Sequence, residues 1–175
     1  MSKRIVVTLV LTTVLCLTIV GQALGYTSGS KSTYTQNSMA RLDLEMRYNW
    51  VNVDANFVGV QITEYRTKFT SVNSNYYIAY ITLVGGIKAN GVATSSGTIV
   101  SRDAHNHQST WTVPSSRAPT SGLWYSRYPT WNTWHLLAKA SAVYYAYGRA
   151  TGYIYGKYTG KYIGTISCNV EYHGS

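Results

Sequence analysis

The residues best suited to chemistry lie in two stretches. The first is Asp103-Ala104-His105-Asn106-His107. On an extended segment its carboxylate and both imidazoles project to one side, a donor set that can hold zinc or copper. His135 and His173 could add a fourth ligand if the fold brings them there. The spacing by itself is not specific, and a polar hairpin loop accounts for the same residues. The sequence therefore predicts no bound metal and no cofactor, with Asp103, His105 and His107 as the residues to examine. The letters His-Asn-His match the name of a nuclease motif, but nothing else in the chain supports a metal-dependent nuclease core.

The second stretch is Pro114 to Tyr128, PSSRAPTSGLWYSRY, the longest irregular segment, which continues through Pro129 to His135. Four of the five tryptophans fall between Trp111 and Trp134, interleaved with Arg117 and Arg127. Rings presented from a loop can stack on sugar faces, and arginine adds charge or a cation-π contact. Arg117, Trp124, Tyr125, Arg127 and Tyr128 are therefore the candidate ligand-binding residues. Trp131 and Trp134 are better placed to plug the end of a core.

Motifs for other chemistry are missing. The sequence has no Gly-x-Ser-x-Gly, no phosphate-binding glycine loop and no His-Glu-x-x-His. Six acids in all leave little for a carboxylate pair. The chain is read as non-catalytic.

The elements that must position these residues are strands. Ala40 to Trp50 alternates strictly, with Ala40, Leu42, Leu44, Met46, Tyr48 and Trp50 on one face and Arg41, Asp43, Glu45 and Arg47 on the other. The charged face reads as a solvated sheet surface with cross-strand pairs. Phe57 to Phe69 is a second strand. Tyr76 to Val84 is apolar on both faces, as expected of a central strand covered on both sides. Gly85-Gly86 reads as a tight hairpin turn into a strand over Ile87 to Ala93, and Thr98 to Arg102 is a short strand. Trp131 to Ala138 has a helical face, but the β-rich continuation favours a strand.

The stretch from Lys139 to Tyr172 holds eight of the 17 tyrosines. With period two it puts Ala146, Gly148, Ala150 and Gly152 on a small face and Tyr145, Tyr147, Arg149, Thr151 and Tyr153 on a large one. A helix carrying Gly152, Gly156, Gly160 and Gly164 would lose roughly 0.5 to 1 kcal/mol at each. In strands the same glycines leave flat gaps for a neighbour's rings, or mark turns. The hairpin falls near Gly148, Gly156 or Gly160.

The fold class that follows is all-β, an antiparallel β-sandwich or related barrel of about eight to ten strands. The N-terminus reads as a secretory signal peptide: Lys3 and Arg4, an uncharged apolar run from Ile5 to Val20, and small residues at Ala23 and Gly25. The domain organisation is thus 1-25 signal peptide, 26-38 a flexible Ser/Thr-rich leader that could add to a sheet edge, and 39-175 a single β domain. Cys168, the one cysteine beyond that peptide, is expected to be a buried thiol.

The formal net charge is +9, and +7 without Lys3 and Arg4. A secreted domain of that balance is drawn to anionic partners. The expectation is a secreted, extracellular, non-catalytic module that binds an anionic cell-surface polymer or glycan, with nucleic acid not expected. Two alternatives are a membrane-active cationic β protein of toxin or bacteriocin type, acting on an anionic membrane surface, and an extracellular matrix or filament subunit that self-associates through its leader.

Overall fold

The computed structural model describes residues 25–139 and 141–174. All of the expected signal peptide except Gly25 lies outside the described residues. The strands in chain order are β1 Thr27–Gln36, β2 Ala40–Asn52, β3 Phe57–Ser71, β4 Tyr76–Ala89, β5 Val92–Ala93, β6 Ile99–Ser101, β7 His105–Val113, β8 Trp124–Arg127, β9 His135–Ala138, β10 Tyr145–Gly156 and β11 Tyr162–Tyr172. No helix occurs among the described residues.

They form two antiparallel sheets in a sandwich-like arrangement. The seven-stranded sheet runs β1-β2-β3-β9-β5-β6, and the four-stranded sheet runs β11-β10-β4-β7. β8 and β9 share one edge of β3 end to end: Tyr65 to Lys68 pair with β8, and Phe57 to Val60 with β9. The core lies between the sheets, with Leu42, Leu44, Met46 and Ile62 from the larger one meeting Ile78, Ile81, Leu83, Ile87, Ala150 and Ile154 from the smaller.

β-Bulges keep the apolar side chains inward. The register of β2 with β3 shifts between Arg47 and Tyr48, whose partners are Glu64 and Ile62. Beyond that extra residue the inward set of β3 changes from Val58, Val60 and Ile62 to Tyr65, Thr67 and Phe69. A second shift, where Tyr153 faces Tyr80 and Ile154 faces Ile78, does the same for β4.

Gly85 and Gly86 make no turn. Both lie inside β4, facing Gly148 and Tyr147 on β10. The reason is space: a Cβ on Gly85 would stand 2.3 Å from the Tyr65 ring, and one on Gly86 2.5 Å from the Tyr147 ring. The glycines are seats for tyrosines on opposite faces of the sheet. β4 runs on to Ala89, and the later hairpin, between β10 and β11, falls after Gly156, where Gly160 takes φ +61° and donates its N–H to the Gly156 carbonyl at 2.9 Å.

The segment read by composition as a flexible leader is β1, paired in register from Thr27 opposite Trp50 to Gln36 opposite Arg41. Its side chains are exposed almost throughout. A backbone ladder holds it, which side-chain hydrophobicity does not reveal. Trp131 to Ala138 is not helical; its last four residues are β9.

The charged face of β2 is paired, but only in part across strands: Arg66–Glu45 and Arg47–Glu64 cross to β3, while Arg41–Asp43 and Arg47–Glu45 run along β2 itself. The Glu45 carboxylate accepts from Arg47 and Arg66, each at 2.7 Å, and Arg41 meets Asp43 at 2.7 Å.

Candidate functional site

The loop residues singled out by sequence do not converge. Trp124, Tyr125 and Arg127 belong to β8. Alternation sends Trp124 to the outer face of the larger sheet, where Arg66 and Lys68 lie 4.5 and 4.9 Å from its ring centre. Tyr125 packs against the core from the opposite face, and its hydroxyl accepts from the Thr120 N–H at 2.7 Å. The Arg127 guanidinium donates to the carbonyls of Ser126 and Thr112 at 2.8 and 3.3 Å. Arg117 and Tyr128 are exposed.

The outer face of the four-stranded sheet gathers more. The large face of β10 points outward and its small face inward, because Ala146, Gly148, Ala150 and Gly152 let the opposite sheet approach. β4 is central, but no second layer covers its outer face among the described residues, and Tyr80 is 36% exposed there.

At one end of this face Tyr80 and Tyr153 stack with centroids 4.3 Å apart and planes 20° apart. Tyr155 adjoins both Tyr77 at 5.9 Å and Tyr162 at 5.6 Å.

At the other end is an open groove of about 490 Å³ lined by Lys88, Gln108, Tyr145, Tyr147, Arg149, Asn169 and Glu171. The Tyr147 ring lies across Gly86, and its hydroxyl donates to Gln108 Oε1 at 2.8 Å. Tyr145 stacks on His173 with centroids 5.2 Å apart, and Lys88 Nζ stands 5.3 Å from the Tyr145 ring centre. Arg149 Nε donates to Asn169 Oδ1 at 3.0 Å. Burial, and the neighbouring Tyr145 hydroxyl, push the Tyr147 hydroxyl above its ordinary pKa, against the pull of Lys88 and Arg149.

The histidines divide. His105 and His107, two apart on β7, face the same way and meet His135 at the start of β9, so strands from both sheets contribute to one cluster. His105 Nε2 lies 2.9 Å from His135 Nδ1. His105 Nδ1 contacts the Asp103 carbonyl at 3.0 Å, and His135 Nε2 contacts the Trp131 carbonyl at 3.2 Å and Thr133 Oγ1 at 3.4 Å. His107 stacks on Trp131 with planes 10° apart.

Asp103 thus offers its carbonyl to His105 and is outside the group of candidate metal ligands, while His173 sits by Ser141 and Glu171. His135 is fully buried, and burial, opposed by the Trp131 carbonyl and aided by His105 and His107, pushes its pKa down to about 4.

No family model and no curated protein matches the chain. Among solved structures it is similar to the X-ray structure of a Northeast Structural Genomics Consortium target, SoR45, at 9% identity over 83% of this chain and 86% of that one, with a TM-score of 0.31. A likeness that low carries no argument about fold or function.

Chemically, the outer sheet face offers flat π-surfaces, hydroxyls from Thr82, Thr110, Thr151 and Ser167, and cations. Lys88, Arg149, Lys157 and Lys161 enter no ion pair among the described residues. No helix among the described residues is long and apolar enough to cross a membrane. Cys168 is a buried free thiol that burial, with the nearby Asp43 charge, raises to about 12, against a backbone donor at Ala150.

The sequence showed the tyrosines but not their side. Which face of β10 turns outward depends on the second sheet, and the pairing of Tyr147 with Gly86 joins residues far apart in the chain.

Proposed function

We propose that the protein is a secreted, non-catalytic module that binds an extracellular anionic polymer or glycan along the outer face of the β11-β10-β4-β7 sheet. The observation that carries this reading is the Tyr147 ring seated over Gly86 beside Lys88 and Arg149 in an open groove. A tyrosine ring in an open groove offers a π-face to a sugar plane, and the cations and amides around it suit carboxylates and hydroxyls. The exposed tyrosines from Tyr80 to Tyr162 extend the surface along the direction a polymer would follow.

The test is co-sedimentation of the purified protein with an insoluble acidic wall polysaccharide at low and high salt. Tyr147 carries the contact in this reading, so Tyr147→Ala should weaken binding by roughly 30-fold, the effect of losing about 2 kcal/mol at a binding hot spot. Trp124→Ala, on the other sheet, should leave it unchanged. Binding lost in Trp124→Ala and kept in Tyr147→Ala would return the site to β8. Leakage of anionic liposomes, with no polysaccharide binding, would favour the membrane-active alternative.

A further inference from the structure

The contacts of the three-histidine cluster raise a question of proton count. The carbonyls of Asp103 and Trp131 can only accept, so His105 Nδ1 and His135 Nε2 must each carry a hydrogen to bond them. A neutral imidazole has one such hydrogen. In a neutral pair that makes both bonds, the remaining lone pairs, on His105 Nε2 and His135 Nδ1, confront each other at 2.9 Å. Two lone pairs at that distance repel unless a cation sits with them. Thr133 Oγ1, at 3.4 Å, is the longer of the two contacts to His135 Nε2 and supplies the competing arrangement, a plain hydrogen bond between the rings.

We propose that His105, His107 and His135 bind one divalent transition-metal cation of the zinc and copper class, with the Asp103 and Trp131 carbonyls orienting two of the rings. Histidine ligands to a metal almost always give their second N–H to a carbonyl or carboxylate, which is the arrangement of His105 and His135.

The dimensions fit. With metal–nitrogen bonds of about 2.0–2.1 Å, two ligands at 90° are about 2.9 Å apart and two at the tetrahedral angle about 3.3 Å. The His105–His135 spacing meets the first as it stands, while the full set of ring nitrogens spans up to 4.8 Å and closes by side-chain rotation. His135 is fully buried and stacking on Trp131 restrains His107, so little ordering is left for the metal to impose. His105 and His107 are half-exposed, which gives the ion a way in and leaves room for a solvent ligand. The site is distinct from the groove, which the other face of the same sheet carries.

The test uses untagged purified protein stripped with chelator and titrated with Zn²⁺ and with Cu²⁺ by calorimetry and native mass spectrometry. The expected result is one equivalent per chain for either ion, copper the tighter, with a rise in melting temperature on loading. Copper should show nitrogen hyperfine structure in its electron paramagnetic resonance spectrum. His105→Gln and His107→Gln, half-exposed positions that leave the fold intact, should each weaken binding at least 100-fold while keeping the metal-free melting temperature. His135→Gln is a third variant, interpreted only if its circular dichroism matches wild type. Absence of stoichiometric binding, or binding unchanged in both His105→Gln and His107→Gln, would overturn the proposal.

Discussion

The packing of Tyr65 yields the most quantitative prediction. Its ring is fully buried and rests on two glycines that face each other on adjacent strands, Gly85 of β4 and Gly148 of β10. A Cβ at Gly85 would stand 2.3, 2.6 and 2.6 Å from three ring atoms, whereas one at Gly148 would reach ring atoms only at 3.2 Å. Ordinary contact begins near 3.4 Å, so Gly85→Ala requires a movement of about 1 Å. The ring has nowhere to go: Trp111 and Trp131 flank it at 6.0 and 6.5 Å, and its hydroxyl donates to the Gly86 carbonyl at 3.2 Å.

Overpacking of a tight core costs about 1–3 kcal/mol, and this site belongs at the upper end. The reduced freedom of the unfolded chain returns about 0.5 kcal/mol, leaving roughly 2.5 kcal/mol. At this chain length that lowers the melting temperature by about 5–10 °C. Thermal unfolding followed by circular dichroism should rank the losses Gly85→Ala, then Gly148→Ala, then Gly164→Ala, where a Cβ meets nothing within 4 Å. In a Tyr65→Leu background the Gly85→Ala loss should shrink, since the clashing ring is gone. A Gly85→Ala protein melting within 1–2 °C of wild type by that measurement would refute the reasoning.

Two further predictions concern titratable groups. Burial would raise the Glu45 carboxyl, but donation from Arg47 and Arg66 outweighs it and holds the group below its ordinary value of 4.5. A folded-state pKa below the unfolded one contributes stability that is present above pH 4.5 and lost as pH falls through the folded value. The stability gap between wild type and Glu45→Gln should therefore narrow on acidification below pH 4.5, and a gap that stays constant would show that the ion pairs are not coupled to folding. Cys168, raised to about 12 by burial, should not react with an aromatic disulfide reagent at pH 8 until guanidinium unfolds the protein. Prompt reaction of the native protein would mean that the β10-β11 edge opens.

The legible parts of the fold were those written in local period. Ala40 to Trp50 announced its inward face and part of its charge pairing, and the two faces of β10 could be assigned before their directions were known. What failed was contact across the chain. Gly85-Gly86 looks like a turn when considered alone; only the rings of Tyr65 and Tyr147, brought in from other strands, explain glycine in a straight strand. The bulge beside Glu64 moves the apolar set from even to odd positions, which reads in sequence as a fading pattern. β1 has no hydrophobic face and is held by its backbone. His105 and His107 stood out by spacing, but His135 lies 30 residues from His105 and joins them because β9 and β7 close the same side of the two sheets. Arg117, Trp124, Tyr125, Arg127 and Tyr128 looked like one loop; a short strand in their midst sends alternate side chains to opposite faces.

The binding face is tested most directly by hydroxyl-radical footprinting of the protein with and without bound acidic polysaccharide, with oxidation of each tyrosine and tryptophan measured by mass spectrometry. Protection of Tyr145, Tyr147, Tyr153 and Tyr155, with Tyr34 and Tyr128 still oxidised, is the predicted result. Protection at Tyr128 and Trp124 with the tyrosines of β10 left open would contradict it.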